Sequence, residues 1–253
     1  MTIWRMPPCC ALLAVCCFLT FSPSAGAAPP MSLEELKAKV ETACRDFQDL
    51  TMQGAVTYKN KEALAKLDPA YARLYEFSTA TVYLKPPDKL RMDGKLGMVK
   101  FEYIINGPIK IFRAPKVRVN KKEDYGDDPA KLQGPLDLGI VTPTLWLNRR
   151  LEVLDDPDAQ AAGEIKLSLR WMKGNMQYLA WLDAASLTLK RFEKRDAASN
   201  LLARAVYSNH QRIDGVVWVP GKVEVFAGDG TKAGTSELVS AKANTGLQDS
   251  FFQ

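Results

Sequence analysis

The chain has 253 residues, of which 47% are hydrophobic and 25% are charged, and its formal net charge is +5. A chain of this length can bury one large hydrophobic core as a single domain. Acidic residues are interspersed through most of the sequence, which argues against a nucleic-acid partner.

The N-terminal segment has the three regions of a secretory signal peptide. Arg5 gives it a positive start, residues 9–21 form an apolar run, and Ala25-Gly26-Ala27 is a small-x-small cleavage site. The apolar run is shorter than the roughly 20 residues that span a bilayer, although an uncleaved anchor is the alternative. We therefore expect a signal peptide over residues 1–27, cleavage after Ala27, and one exported domain over residues 28–253.

The clearest element after this segment is an amphipathic helix. Ser32 and Glu35 form a capping box at its start. Four of the five cysteines lie in the signal segment, so the exported product cannot form an internal disulfide and must depend on its core. Cys44 lies on the apolar stripe, which predicts a buried, inert thiol. The stripe consists of Leu33, Leu36, Val40, Cys44, Phe47 and Leu50.

From Thr51 onward the dominant period of the sequence is two, which predicts β-strands. Short connections separate these strands, and strands joined in this way pair antiparallel. The pattern predicts roughly nine to eleven strands. The predicted turns are Pro86-Pro87, Asp93-Gly94, Asn106-Gly107-Pro108, Asp214-Gly215 and Gly228-Asp229-Gly230.

Two segments interrupt the strands. Residues 60–75 have a helical pattern around Pro69, and residues 120–151 combine a polar loop with a short helix that begins near Thr142. A connection as long as the second one is unusual inside a compact sheet, and it is either functional or partly disordered.

One predicted strand is apolar on both of its faces. One face consists of Met176, Tyr178, Ala180 and Leu182, and the other contains Leu179 and Trp181. The sequence is also apolar on both faces, a pattern we call doubled, at residues 104–105 and 216–219. Such strands must be covered on both sides, by a helix, a second sheet or a ligand. A β-sandwich without a cavity is the alternative that this pattern leaves open.

The residues that catalysis and metal binding require are scarce. His210 is the only histidine, and its polar surroundings predict a solvated loop. No second His or Cys of the exported chain could complete a zinc site, a catalytic triad or a Cys-His pair. Asp124, Asp127 and Asp128 lack the spacing of a calcium loop. We therefore expect a protein that is not an enzyme and has no metal or cofactor.

Residues 110–122 contain six basic residues and no acidic one. They could contact anionic lipid headgroups or an acidic partner, or they could form the solvated face of a strand.

Several short sequence motifs, spread over nearly the whole exported chain, resemble those of the LolA family of periplasmic lipoprotein carriers and its lipoprotein-sorting relatives. They are the helix that starts at Ser32, Lys85-Pro86 with Leu90-Arg91, Asn106-Gly107, Thr142-Pro143, Trp181-Leu182-Asp183, residues 217–220, and Asn244 to Leu247 with Phe251. The resemblance implies a mainly β, α+β fold, namely an incomplete antiparallel β-barrel with helices covering its concave face.

The same resemblance implies a non-enzymatic, monomeric periplasmic carrier for the acyl chains of lipoproteins or for another lipid. Such a carrier needs an inner-membrane ABC-type transporter that releases the cargo and an outer-membrane acceptor. A periplasmic sensor or regulatory binding module of the same fold is the alternative.

The resemblance also assigns sites. In these carriers an arginine before a proline at the end of an early strand holds the lid, and Lys85 stands at that position, with Arg91 as a substitute. From the doubled faces and the aromatic positions we predict seven cargo-binding residues: Met92, Phe101, Tyr103, Trp146, Tyr178, Trp181 and Trp218.

Overall fold

The computed structural model describes residues 31–67 and 75–253, so the predicted signal peptide and Pro69 lie outside the described residues. The helices are α1 (Leu33–Ala43), α2 (Lys61–Ala65) and α3 (Pro157–Ala161). The strands are β1 (Leu50–Lys59), β2 (Thr79–Lys85), β3 (Lys89–Leu96), β4 (Val99–Asn106), β5 (Ile109–Ala114), β6 (Val119–Asp124), β7 (Arg149–Leu154), β8 (Glu164–Trp171), β9 (Gln177–Asp183), β10 (Leu189–Arg195), β11 (Leu201–Ser208), β12 (Gln211–Ile213), β13 (Val217–Val219), β14 (Lys222–Ala227) and β15 (Lys232–Ala243). Short 3-10 helices span Pro115–Val117, Pro129–Lys131, Pro135–Leu138, Pro143–Trp146 and Asp249–Phe252.

Thirteen of the fifteen strands in the described residues form one antiparallel sheet, in the order β6-β5-β4-β3-β2-β1-β15-β14-β11-β10-β9-β8-β7. Strands β12 and β13 pair as a separate hairpin. The large sheet does not close, because β6 and β7 are its two edges. This arrangement confirms the predicted α+β, mainly β fold with an incomplete antiparallel barrel. The predicted count of nine to eleven strands was too low, since three-residue strands such as β12 and β13 are too short to show a period of two.

The centre of the sheet is the pairing of β1 with β15, which joins the two ends of the described chain. Leu50 lies opposite Ala243, and β1 pairs with β2 along its other side. Strands β2 to β6 therefore extend the sheet in one direction, whereas β14, β11, β10, β9, β8 and β7 extend it in the other.

A buried carboxylate fixes the start of this pairing. Asp49 is only 2% exposed, and its two oxygens accept hydrogen bonds from the backbone N–H groups of Thr245, Gly246 and Leu247 at 2.7 to 3.0 Å. Asn244 adds a bond from its side-chain amide to the carbonyl of Asp46, 198 residues away in sequence. These contacts hold the residues before β1 against the residues after β15.

The N-terminal helix begins as predicted and ends earlier than predicted. The Ser32 hydroxyl accepts a hydrogen bond from the Glu35 N–H at 3.1 Å, which confirms the cap, whereas the Glu35 carboxylate pairs with Lys39 at 3.0 Å. The helix stops at Ala43, so Phe47 lies in a turn and Leu50 opens β1. The helical spacing of apolar residues in the sequence continued past the end of the helix, because the buried residue Leu50 at the start of β1 has the same spacing by coincidence. Within residues 31–67 and 75–253, no helix has the length and apolar character to cross a bilayer.

One predicted turn lies inside a strand. Asp93 and Gly94 belong to β3, and the chain instead turns at Gly97, whose φ is 58°. The Phe77 ring lies over Gly94 so closely that a Cβ there would be 2.8 Å from the ring. The glycine therefore makes room for an aromatic side chain and does not form a turn. The other predicted turns, Asn106-Gly107-Pro108, Asp214-Gly215, Pro86-Pro87 and Gly228-Asp229-Gly230, all connect strands.

Both faces of the sheet are covered, as the doubled apolar patterns predict. On the concave face, Ala180 and Leu182 of β9 pack in a core with α1. On the convex face, Leu179 and Trp181 of the same strand pack with Ala159 of α3. The side chains of β4 also cover both faces: Ile105 packs in the concave core, whereas Ile104 packs against Phe252 of the C-terminal 3-10 helix.

The Asp49 contacts lead to a prediction about stability. Burial alone would raise the pKa of Asp49, but its hydrogen bonds from Thr245, Leu247 and Gly246 outweigh burial and lower that pKa. We expect Asp49→Asn to reduce the free energy of unfolding by about 1–3 kcal/mol at neutral pH, because an amide NH₂ cannot accept these bonds. Urea denaturation of the purified protein measures the change.

The pH dependence provides the control. A lowered carboxyl pKa contributes stability that is present above the unfolded pKa of about 3.9 and is lost as the pH falls through the folded value. The difference between the wild type and Asp49→Asn should therefore shrink below about pH 4. Asp46→Asn, at an exposed position in the same turn, should leave stability unchanged. Equal stability of all three proteins at neutral pH would contradict this role of Asp49.

Candidate hydrophobic cavity

The connection between the two edge strands crosses the open side of the sheet. Residues 125–148 join β6 to β7, and we call them the lid segment. Ile140 is fully buried in the concave core around Leu50, and Leu145 is 1% exposed in the core that contains Leu36 of α1. The predicted short helix near Thr142 is confirmed as the 3-10 helix Pro143–Trp146. The lid segment thus packs into both halves of the concave face.

A glycine allows the lid segment to approach the sheet closely. Gly139 has a φ of 79°, and a Cβ at this position would lie 2.4 Å from a ring carbon of Tyr207 and 2.9 Å from Pro220. Only glycine adopts this backbone conformation at so short a distance from β11. The lid segment is therefore seated directly on the sheet at this point.

An apolar cavity of about 170 Å³ lies between the concave face and its cover. Strands β1 to β4, β14 and β15 form its floor, whereas the lid segment and the end of the β12–β13 hairpin close it. The floor side chains include Met52, Val56, Ala80, Val82, Leu90, Met92, Val223 and Val225. The cover contributes Gln133, Asp137, Leu138, Val219 and Pro220. The cavity is thus an apolar space with a few polar groups, namely Gln133 and Asp137 on the lid side and Ser236 and Glu237 on β15.

Asp137 is the charged group that the lid segment contributes to the cavity. Burial raises the pKa of Asp137, while a 2.8 Å hydrogen bond from the Gly134 N–H and the nearby charges of Arg149 and Lys194 act in the opposite direction. Tyr207, which is 2% exposed, has a hydroxyl without a hydrogen-bond partner among the described residues. Burial raises the pKa of Tyr207, and it raises the pKa of Tyr75 to about 12. Both tyrosines are therefore neutral at physiological pH.

The structure places two of the seven predicted cargo-binding residues, Met92 and Tyr103, in the wall of this cavity. Phe101 is next to it, since its ring centroid is 5.6 Å from that of Phe77, which lines the cavity. Trp146 and Tyr178 pack against the concave core of the other half of the sheet.

The other two predicted residues lie elsewhere. Trp181 is on the convex face, and the guanidinium carbon of Arg191 is 3.6 Å from its ring centroid. Trp218 is on the β12–β13 hairpin, where it faces a small crevice beside Cys44. The sequence shows that alternate residues point in opposite directions, but it does not show which direction is concave.

Solved structures provide a comparison for this architecture, although no protein-family model and no curated protein matches the sequence. A protein from Vibrio parahaemolyticus described as an outer membrane lipoprotein-sorting protein domain is 12% identical, with a TM-score of 0.55 over 87% of this chain and 95% of its own. A LolA superfamily protein, NE2245 from Nitrosomonas europaea, is 13% identical, with a TM-score of 0.56 over 88% and 97%. A DUF1329 family protein from Desulfovibrio piger is 12% identical, with a TM-score of 0.53 over 87% and 95%.

The chain has a LolA-like fold. The likeness extends over most of this chain and nearly all of each neighbour, so it concerns the fold of the whole domain. At 12–13% identity, the comparison establishes the fold alone.

Within this LolA-like fold, the two predicted lid-contact residues bind a different segment. The Lys85 ammonium donates to the Leu247 carbonyl at 2.7 Å and pairs with Asp249. Arg91 donates to the Phe251 carbonyl at 3.1 Å, and its guanidinium carbon lies 4.4 Å from the centre of the Phe251 ring. Both side chains therefore hold the C-terminal segment against the convex face.

Sequence reasoning missed an arginine that contacts the lid segment. Arg149, the first residue of β7, donates to the carbonyls of Thr144 at 3.4 Å and Leu145 at 3.2 Å. Its guanidinium carbon lies 4.0 Å from the centre of the Trp171 ring, which fixes the side chain in place. The only signal in the sequence is an arginine directly after the predicted lid helix, and strand pairing was needed to interpret it.

The remaining reactive side chains have structural partners. Cys44 is half-buried and not fully buried as predicted; burial raises its pKa to about 11 and its thiol donates to the Val141 carbonyl at 3.5 Å, which is consistent with an inert thiol. His210 is half-buried, because its Nε2 lies 2.9 Å from the Leu189 carbonyl, so the predicted solvated loop was wrong for this residue. Within the described residues, no three His, Cys, Asp or Glu side chains form a metal-binding group.

The contacts of Arg149 predict how firmly the lid segment is held. We expect Arg149→Met to expose the amides of residues 139–147 to hydrogen exchange about tenfold faster, because a charged hydrogen-bond donor to two lid carbonyls is lost. The amides of β1 and β15 should keep their protection. Hydrogen–deuterium exchange with peptide-level mass spectrometry measures both regions in one experiment.

The matched control is Arg150→Met, one residue further along β7 at an exposed position. It removes the same charge but no lid contact, so its exchange pattern should equal that of the wild type. If both variants accelerated lid exchange equally, net charge and not the carbonyl contacts would be responsible.

Proposed function

We propose that the protein is a non-enzymatic periplasmic carrier that binds the acyl chains of lipoproteins, or another lipid, and transfers them towards the outer membrane. The observation that carries this proposal is the apolar cavity between the concave face and the lid segment. The LolA-like fold supports it, since one neighbour with this fold is described as an outer membrane lipoprotein-sorting protein domain.

In this proposal the structure is the closed form of the carrier, because its cavity is small. A volume of about 170 Å³ is below the ~300 Å³ at which pockets begin to enclose drug-sized ligands. A long acyl chain therefore enters only if the lid segment moves away from the sheet. Ile140 and Leu138, which now fill the concave side, would give up their contacts to the cargo.

This exchange of contacts keeps the affinity moderate. Burying an acyl chain contributes about 0.8 kcal/mol per CH₂, or roughly 12 kcal/mol for a chain of sixteen carbons. The apolar contacts of the lid segment compete with that gain, so the net affinity is lower than the buried area suggests. A carrier needs this balance, because it must release its cargo as well as protect it.

The proposal assigns roles to the predicted cargo-binding residues. Met92 and Tyr103 contact cargo in the cavity, with Phe101 beside them, whereas Trp146 and Tyr178 line the path that opens when the lid segment moves. Trp181 and Trp218 take no part in this scheme, since one lies on the convex face and the other on the hairpin. The carrier acts as a monomer and exchanges cargo with an inner-membrane ABC-type transporter and an outer-membrane acceptor.

A cavity-filling substitution tests the proposal. Ala80→Phe on β2 projects a benzyl group into the cavity, so we expect it to reduce the lipid that co-purifies with the protein from the periplasm. Excluding only two methylenes costs about 1.6 kcal/mol, which is roughly a tenfold loss of affinity. Native mass spectrometry with lipid extraction quantifies the cargo and identifies it.

The control is Thr81→Phe, the next residue of β2, which points to the convex face and should keep the cargo. Thermal unfolding of both variants establishes that they are folded. A wild-type protein that is free of acylated cargo, and that binds one membrane protein stably, would contradict the carrier and support a sensor of the same fold.

A further inference from the structure

A second cavity opens beside the apolar one, in the gap between the two halves of the sheet. It has a volume of about 460 Å³ and is bounded by the end of β5, the lid segment, the β8–β9 connection and the end of β10. Four lysines line it, with a single carboxylate, Asp128. The four are Lys110, Lys131, Lys173 and Lys194.

Two of these lysines come from opposite halves of the sheet and point to the concave side. Lys110 lies across from Ile105, a concave core residue, so cross-strand pairing puts both side chains on one face. Lys194 lies across from Tyr178, which packs in the concave core of the other half. The open gap between the edge strands thus has an ammonium group on each side.

The side chains that line the cavity carry a positive excess, with four lysines and one carboxylate. Lys131 pairs with Asp128 at 3.2 Å and Lys173 with Asp127 at 3.5 Å, both at exposed positions where ion pairs are weak. Lys194 has no ion pair within 4 Å among the described residues, although Asp137 is an electrostatic neighbour. Lys110 donates to the Lys131 carbonyl at 3.4 Å. The ammonium groups of these two lysines both lie over the Tyr125 ring.

One side chain is shared by this basic cavity and the apolar one. Gln133 lines both cavities, and its Oε1 accepts a hydrogen bond from the Tyr103 hydroxyl. Tyr103 forms part of the apolar wall, and the Lys110 ammonium is 5.5 Å from the centre of its ring. An apolar space and a cationic one therefore meet at Gln133.

We propose that the basic cavity binds the phosphate-bearing headgroup of an amphiphile whose acyl chain occupies the apolar cavity. The four lysines provide ammonium donors suited to a phosphate, and their arrangement on both sides of the gap surrounds a group placed there. The apolar cavity next to it distinguishes a lipid headgroup from a free phosphate, because only a lipid occupies both spaces. This inference rests on the proposed carrier function and specifies the class of its cargo.

Three probes with matched chemistry test the inference on the exported protein by isothermal titration calorimetry. They are palmitoyl lysophosphatidylglycerol, palmitoyl monoacylglycerol and inorganic phosphate. We expect the first to bind about tenfold more tightly than the second, since charge-assisted hydrogen bonds add to the same acyl burial. This preference should decrease as the salt concentration rises.

The variant Lys194→Gln should abolish most of that preference and leave the affinity for monoacylglycerol unchanged. Its control is Lys122→Gln on the exposed edge strand β6, which removes the same charge from the convex face, since Lys122 lies across from Ile111, and should preserve the preference. A second variant, Lys110→Gln, should act in the same direction as Lys194→Gln.

Each alternative outcome is distinguishable. Equal binding of the two palmitoyl probes, with no effect of Lys194→Gln, would overturn the headgroup site and leave the carrier proposal intact. Inorganic phosphate that binds as tightly as the lysophospholipid would identify a free-anion site and overturn the headgroup assignment. Binding of neither palmitoyl probe would overturn the carrier proposal and this inference together.

Discussion

The pairing of β1 with β15 is the constraint on which the rest of this structure depends. It places the two ends of the described chain at the centre of the sheet, where Asp49 fixes the register by accepting bonds from Thr245, Gly246 and Leu247. The other strands of this sheet are then added outward from this pair, and the middle of the chain forms both edges. Because β6 and β7 are consecutive strands that end on opposite edges, their connection must cross the open side. The lid segment follows from this topology.

The cavity exists because the lid segment contacts the sheet at some places and leaves a space above it at others. Gly139 permits a close approach to Tyr207, and Ile140 and Leu145 fill the concave cores. Arg149 holds the carbonyls at the end of the segment. Between these contacts, over β1 to β4, the cover does not fill the space above the apolar floor, and about 170 Å³ remains. A cover held by a few separable contacts can open, whereas a continuous core could not.

Charge in the concave half of the molecule is concentrated where the two sheet edges face each other. Asp137 interacts there with Arg149 and with Lys194, and burial shifts the pKa values of Asp137 upwards and of Arg149 downwards. The apolar floor and this charged gap meet at Gln133. An amphiphilic ligand matches that division, since its chain and its headgroup need opposite surroundings.

The sequence by itself determined the local features: the Ser32 cap, the antiparallel strands, the doubled faces of β9, the short helix after Thr142 and the inert Cys44. Each depends on residues close together in sequence, whose spacing expresses helix or strand geometry directly. Only the tertiary structure decided that Tyr178 faces the concave side and Trp181 the convex side, that Gly94 accommodates Phe77, and that Arg149, not Lys85, contacts the lid segment. These outcomes depend on the direction in which the sheet curves and on pairings between distant strands, and a period of two is the same on either face.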